Sequence, residues 1–411
     1  MKKVSIIMLA YNKLEYTKLA VDSLYKYTSH IDFELISVNN GSSDGTKEYL
    51  DSLPNKKKIN FEQNVGGDRA FNEGIDQAEG EYTVFLNNDL ILTENWLDNL
   101  ITIMESDLKI GIAVPACNSS SNFQTISLEY YNTIQLQEVA KKYNKSNPRL
   151  WEERLRLMLY AAIFRTEELK DIGGLDEIYS PGGFDDDDLT CRYRRAGYKL
   201  IFAKDTYIHH YGSVTIGDAY ASILGRNRVI FQNKFGYDSW ESIAMDFEVL
   251  NSIEYVKKDE ISILGIGKTC AATLLQMKNK FREAGVDKIV LEYVALEDKY
   301  IIDLNTICDK VYRGNLENIN SILEKKKYNY IYLEDTISNL EEYLSILKKL
   351  NNNLNTIDGI LLSSVNDIGG SYINDRYCNN LLGYISENGY NQVKSNLCEN
   401  RTIYILGKKF S

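Results

Sequence analysis

The feature that most constrains this chain is an alternation of short apolar runs with amphipathic stretches, each run ending in a polar cluster. Residues 4–10 (Val-Ser-Ile-Ile-Met-Leu-Ala) are apolar almost throughout, as a strand covered on both faces must be. Leu14, Leu19, Val21 and Leu24 follow near helical spacing. A second strand is expected over residues 33–38, then a helix, a short strand near Ile59, a helix over 69–78 and a strand over 82–86. Repeated strand–helix–strand units predict a largely parallel sheet with right-handed crossovers. In such sheets ligands sit beyond the carboxyl ends of the strands. Two polar clusters fall there, residues 39–46 and Asn87-Asn88-Asp89.

A chain of 411 residues exceeds what one hydrophobic core usually supports, so two domains are expected. Residues 90–151 are less regular and rich in Asn, Ser and Tyr; residues 167–215 hold a dense acidic cluster; helical segments near 218–250 close the first domain. A charged stretch, Val256-Lys-Lys-Asp-Glu260, then leads into Ile261-Ser-Ile-Leu264, where the alternation restarts. This places one domain over 1–255 and another over 256–411.

A formal net charge of −11 speaks against a general nucleic-acid binder, which needs a basic face. No run reaches the roughly 20 apolar residues of a membrane helix. The opening run stops at Tyr11-Asn12-Lys13 without a small-residue cleavage site, so it reads as a buried strand and not a signal peptide. Six scattered cysteines without short paired spacing suit reduced thiols, and a cytoplasmic location is expected.

Four constellations could carry chemistry. Asn87-Asn88-Asp89 ends an apolar strand, where a carboxylate can hold a hard divalent cation against a diphosphate; an ordinary Asx turn would also explain it. Gly182-Gly183-Phe184 precedes four aspartates, Asp185 to Asp188. Helix capping accounts for one or two of them, but adjacent carboxylates repel and shift one another's pKa unless neutralised. A general base facing a cleft accounts for the remainder. His209-His210 supplies two of only three imidazoles, either of which could complete a metal site with Asp89. The loop Asn39-Asn40-Gly41-Ser42-Ser43-Asp44 suits reading a base or ribose, and Asp44 or Ser42 could cap the following helix.

In order and spacing, these pieces resemble family 2 glycosyltransferases of the GT-A fold over roughly residues 3–215. The carriers are residues 4–12, 34–46, Asn64-Val-Gly-Gly67 with Asn72-Glu-Gly74, 78–89, Ile172 to Glu177, Asp185 to Arg192 and His210-Tyr-Gly-Ser213. The resemblance implies a GT-A (Rossmann-like) α/β domain that moves a sugar from a nucleotide-sugar with inversion, using Mn²⁺ or Mg²⁺. It implies Asp89 as metal ligand, with Asn87 at the first position of the DxD-type motif and Asn88 between them. His210 is implied as a second ligand, with His209 as the fallback. Asp186 is implied as catalytic base, preceded by Asp185. Tyr11, Asn39, Asn64, Gly67 and Arg69 fall where the family lines its nucleotide pocket. Asn39 stands where the family carries an Asp that accepts from uracil; an Asn carbonyl can accept too, so a UDP-sugar is the expected donor. A protein acceptor, for example flagellin, or a glycan is implied.

The second domain resembles a class I methyltransferase-like Rossmann unit over about 260–370. The carriers are Ile261 to Ala271, Lys288-Ile-Val-Leu-Glu292, Tyr328 to Asp335, the 340–350 helix and Ile360 to Asp367. Thr269 and Ala271 stand at the second and third glycine positions, so the domain is expected to be degenerate and to bind no S-adenosylmethionine. A bifunctional glycosyltransferase/methyltransferase and a non-catalytic nucleotide-sugar-binding module are the alternatives. Oligomer formation is left open.

Overall fold

A computed structural model describes residues 3–212, 220–334, 340–354, 359–366, 387, 390–398 and 401–408. Ser213, Asp335 and Asp367, used above, lie outside them, as do Val214, Thr215 and one of the six cysteines, Cys378. The chain forms two compact units, Met1–Ser239 and Trp240–Ser411.

The first unit runs β1 (Val4–Ala10), α1 (Leu14–Thr28), β2 (Phe33–Asn40), α2 (Thr46–Ser52), β3 (Lys57–Phe61), α3 (Gly67–Gln77), β4 (Tyr82–Asn87), β5 (Leu90–Ile91), α4 (Trp96–Ser106) and β6 (Ile110–Ala116). It continues through α5 (Thr133–Tyr143), β7 (Trp151–Arg154), β8 (Ala161–Arg165), α6 (Thr166–Ile172), α7 (Asp185–Arg195), β9 (Lys199–Tyr207), β10 (His209–His210) and α8 (Tyr220–Phe235). Eight strands make one sheet in the order β3-β2-β1-β4-β8-β6-β9-β7. β1, β2, β3 and β4 pair in parallel as expected. The sheet is mixed beyond them, because β8 runs antiparallel to β4 and β6, and β7 antiparallel to β9. Val4, Ile6, Ile7 and Met8 are fully buried, which is why the first run carries almost no polar residue.

Parallel register fixes the site edge. Ala10 lies beside Asn39, and Leu9 beside Asn87. The residues that leave β1, β2 and β4 therefore emerge together at one carboxyl edge. A separate two-strand ribbon pairs β5 with β10, setting His210 opposite Leu90, the residue after Asp89.

The α3 helix is anchored to residues 172–183, which lead into α7. Asn72 Nδ2 donates to the Leu175 carbonyl (2.9 Å), and the Leu175 N–H donates to Asn72 Oδ1 (2.9 Å). Gly66 has φ of 90°, and a Cβ there would collide with the Ser180 hydroxyl. Gly41 has φ of 75°, and its Cβ would drive into the backbone of Gln63. Both positions need the left-handed conformation and the empty space that only glycine supplies.

The second unit holds α9 (Ser239–Ser242, beginning at the boundary), α10 (Phe247–Ser252), β11 (Glu260–Gly267), α11 (Ala272–Glu283), β12 (Lys288–Ala295), α12 (Ile301–Leu304), β13 (Lys310–Arg313) and α13 (Ile319–Leu323). Then come β14 (Tyr330–Leu333), α14 (Leu340–Leu350), β15 (Ile360–Asn366), β16 (Tyr390–Cys398) and β17 (Arg401–Lys408). The order is β13-β12-β11-β14-β15-β17-β16, with β11 to β15 parallel and β17 antiparallel to both neighbours. The boundary falls ahead of the expected position near 255. The cause is local: the Cys270 N–H donates to the Ser242 carbonyl (2.8 Å) and the Asp246 N–H to Thr273 Oγ1 (3.0 Å). These bonds tie 240–252 to the start of α11.

No helix among the described residues is long and apolar enough to cross a membrane. Gly41→Ala is expected to destabilise the protein by about 1–3 kcal/mol, since it adds a clash to a strained φ. Chemical denaturation of the full chain checks this; an unchanged midpoint would contradict the argument.

Candidate active site

The edge loops are locked to one another. The Asn12 N–H donates to Ser42 Oγ (2.9 Å), and the Ser43 N–H to Asn12 Oδ1 (2.8 Å). Asp44 accepts from the N–H of Leu14 (3.0 Å) and of Thr46 (3.1 Å), joining the starts of α1 and α2. Asn39 is buried at 1% exposure; its Oδ1 accepts from the Ser42 N–H (3.0 Å), while its buried Nδ2 finds no partner in the protein. The acceptor anticipated at this position is thus engaged, and the free group is a donor. Tyr11 follows β1 directly and is half-buried.

Other predicted pocket residues have structural work. Asn64 Oδ1 accepts from Asn40 Nδ2 (3.1 Å) and the Gly66 N–H (2.9 Å), shaping the turn before α3. Asn88 Nδ2 donates inward to the Asn12 carbonyl (3.1 Å) and Thr17 Oγ1 (2.8 Å). The Gly67 N–H meets the Pro181 carbonyl (3.4 Å), on the side of the acidic cluster. Arg69 is exposed on the first turn of α3, and Asn87 is half-buried at the end of β4.

The β5–β10 ribbon gives the two histidines different surroundings. His210 Nε2 lies 3.3 Å from Asp89 Oδ1, and its Nδ1 sits 2.7 Å from the Ser119 carbonyl. A carbonyl only accepts, so Nδ1 carries the proton and Nε2 faces the carboxylate. The Asp89 carboxylate only accepts as well, so Nε2 is protonated here too; releasing that proton would leave the tautomer a metal-binding imidazole adopts when its other nitrogen is held by an outer partner. Burial opposes a charge on His210, but the Asp89 carboxylate and Cys117 outweigh it and raise the ring's pKa to about 10. His209 Nδ1 instead bonds the Tyr130 hydroxyl (2.6 Å), away from Asp89. Asn118 clamps the His210 backbone, donating to its carbonyl (3.0 Å) and accepting from its N–H (2.8 Å). Neither Asn118 nor Ser119 was marked by any motif.

The four aspartates at the start of α7 divide in two. Asp187 Oδ1 is paired with Arg156 Nη1 (3.0 Å) and accepts from Ser239 Oγ. Asp188, fully buried, is paired with Arg192 Nε (2.5 Å) and Lys234 Nζ (2.5 Å). These two are structural, neutralised by cations that the sequence pattern did not connect to them. Asp185 and Asp186 stay partly exposed, and no ion pair reaches them among the described residues. Asp185 Oδ1 accepts from the Gly183 N–H (2.5 Å), closing the turn. Loss of water, then the charges of Asp185 and Asp187, push the Asp186 carboxyl well above the usual range.

One dipeptide joins the halves. The Leu159 N–H reaches Asp186 Oδ2 (3.4 Å), and the Tyr160 ring stacks on His210 with centroids 5.2 Å apart. The Tyr160 carbonyl also accepts from the Asn87 N–H (3.0 Å). Asp89, His210 and Asp186 therefore border one region. Among the described residues, no three His, Cys, Asp or Glu side chains converge as a complete metal cage. Asp89 and His210 face each other as a carboxylate–imidazole pair.

Known proteins resemble parts of this chain. Residues 5–166 match the family model described as glycosyl transferase family 2. An uncharacterized glycosyltransferase of Nostoc sp. is 31% identical over 114 residues, 27% of this chain and 35% of the relative. Glycosyltransferase AglE of Haloferax volcanii is 26% identical over 210 residues, 49% of this chain and 64% of AglE. The chain thus spans less than two thirds of either. The solved mannosyltransferase PcManGT from Pyrobaculum calidifontis, in complex with GDP-Man and Mn²⁺, aligns at 19% identity over 56% of this chain and 62% of that one, with a TM-score of 0.39. The family match supports one statement: residues 5–166 carry a glycosyl transferase family 2 domain.

Proposed function

We propose that the first unit, read as a GT-A domain, is an inverting glycosyltransferase that moves a sugar from a nucleotide-sugar, UDP-linked, to a hydroxyl of a protein or glycan. The observation that carries this reading is the Leu159–Tyr160 link between Asp186 and the Asp89–His210 pair. Asp186 is partly exposed, free of any cation partner and basic for a carboxylate, as a general base should be. It takes the proton of the acceptor hydroxyl as that oxygen attacks the anomeric carbon from the face opposite the leaving diphosphate. The unpaired Asn39 amide suits a carbonyl oxygen of the base, which uracil offers.

The residues present fit a divalent cation, Mn²⁺ or Mg²⁺. One carboxylate faces Nε2 of an imidazole whose Nδ1 is held by a carbonyl, and loss of the Nε2 proton would free that nitrogen for a metal, with positions left for phosphate oxygens and water. Asp89 and His210 would hold it, and its charge would offset that of the leaving diphosphate. Asn118 and Ser119 keep the imidazole aimed.

For the second unit we propose a Rossmann-like, methyltransferase-type domain that binds no S-adenosylmethionine. The parallel order β13-β12-β11-β14-β15 places a switch point between β11 and β14, where ligands would enter. The Tyr293 ring covers Gly265 there, and a Cβ on Gly267 would lie 2.6 Å from the Tyr293 hydroxyl. That hydroxyl donates to Glu334 (2.5 Å), which also takes the Thr269 hydroxyl.

Asp186→Asn is expected to cut kcat by about 10²- to 10⁴-fold with a smaller change in donor KM; near-normal turnover would remove the base assignment. A base works only when ionised, so activity should fall on acidification. Because Asp186 is shifted upward, that fall should centre above the ordinary carboxylate value of about 4; a pH–rate profile flat down to pH 5 would contradict this. Asn118→Ala should weaken apparent Mn²⁺ affinity by roughly 10- to 100-fold by freeing His210, read by titrating metal into chelated enzyme. Activity indifferent to both chelator and substitution would discard the metal pair.

A further inference from the structure

Asp68, at the start of α3, is fully buried, and neither of its carboxyl oxygens receives a hydrogen bond from any N–H or O–H group. Its polar neighbour is the Asp185 carboxyl, whose nearness raises the Asp68 carboxyl's pKa while Asp68 lowers that of Asp185. Two carboxylates cannot hydrogen-bond without a proton between them, because both only accept. The contact is built into the backbone. Gly66 lies against Ser180, the Gly67 N–H meets the Pro181 carbonyl, and Gly183 aims its N–H at Asp185 Oδ1.

No cation offers an alternative. Among the described residues Asp68, Asp185 and Asp186 have no Lys or Arg ion pair, and no third metal-ligating side chain completes a cage with any two of them. The groups facing Asp68 are the carboxyls of Asp185, Asp186 and Glu177. Tyr220 on α8 faces the same aspartates, and Arg226 on α8 is committed to the Ser180 carbonyl and Asn227 Oδ1. Arg69, next to Asp68, points to solvent.

We propose that Asp68 is a positioning residue of the acidic cluster: it stays neutral and donates a hydrogen bond to Asp185, fixing that side chain and leaving Asp186 as the proton acceptor. The positioning role rests on the glycosyltransferase reading above; the neutrality of Asp68 does not. Withholding one negative charge from the cluster lowers the repulsion that Asp186 meets on ionising. The Asp185 carboxylate, which closes the Gly183 turn at the start of α7, is steadied from its other side. Burial, and then Asp185, push the Asp68 carboxyl up to about 9, in keeping with this arrangement.

The test compares wild type, D68N, which keeps a donor but cannot ionise, and D68L, which is neutral without a donor. A carboxyl raised from about 4 unfolded to about 9 folded binds its proton better in the native state. Its contribution to stability is therefore complete below pH 4 and is lost as pH climbs toward 9. Melting temperatures of wild type and D68N should then nearly coincide at pH 4, with D68N ahead by about 4 °C or more at pH 8. A difference that stays constant, or reverses so that wild type gains on D68N as pH rises, would show Asp68 ionised and overturn the proposal, whatever the enzyme's activity. For positioning, transferase kcat of D68L should fall at least tenfold below that of D68N, with donor KM within about twofold. Equal kcat in the two variants would overturn the positioning role while leaving the glycosyltransferase reading intact.

Discussion

The site depends on two consecutive residues, Leu159 and Tyr160, that reach in opposite directions from the entry to β8. One offers its backbone N–H to Asp186, and the other lays its ring on His210 and its carbonyl on the end of β4. β8 runs antiparallel between β4 and β6, so its start lies beside the carboxyl end of β4. Had that strand been parallel, the dipeptide would sit at the far edge of the sheet. That reversal in the centre of the sheet is what lets distant parts of the chain meet.

Electrostatics then sorts similar residues into different tasks. Four consecutive aspartates occupy one helical turn, yet two are sealed by Arg156, Arg192 and Lys234, while the other two form no ion pair among the described residues. The paired two anchor α7; the unpaired two are left with elevated basicity. The same logic separates the adjacent histidines. A carbonyl behind His210 directs its other nitrogen to Asp89, and a phenol absorbs His209. Environment, not residue type, assigns the roles.

Much of this was legible in the residues alone. The strands β1, β2 and β4 follow from apolar runs, and the polar clusters at their ends follow from parallel topology. The antiparallel β7 and β8 were not legible, since a short buried strand has the same composition in either direction. Asn64 and Asn88 were read as pocket residues, and Asn64 Oδ1 and Asn88 Nδ2 also bond within the protein; a sequence gives the capacity to hydrogen-bond but not its direction. Arg156, Asn118 and Asp68 gave no signal because their partners lie far along the chain or on another element. The boundary moved from 255 to 239 because short helices beyond Ser239 bond to the α11 entry, a contact no composition shift reports.

The central claim is that a cation pair and a proton acceptor flank one bound sugar. A crystal structure of the full chain with Mn²⁺ and a uridine diphosphate-sugar analogue, using anomalous scattering to locate the metal, tests it most directly. The account predicts one strong peak at about 2.0–2.3 Å from Asp89 and His210, with the Asp186 carboxylate facing the anomeric carbon from the side opposite the diphosphate. A peak bound elsewhere, or Asp186 on the same side as the diphosphate, would contradict it.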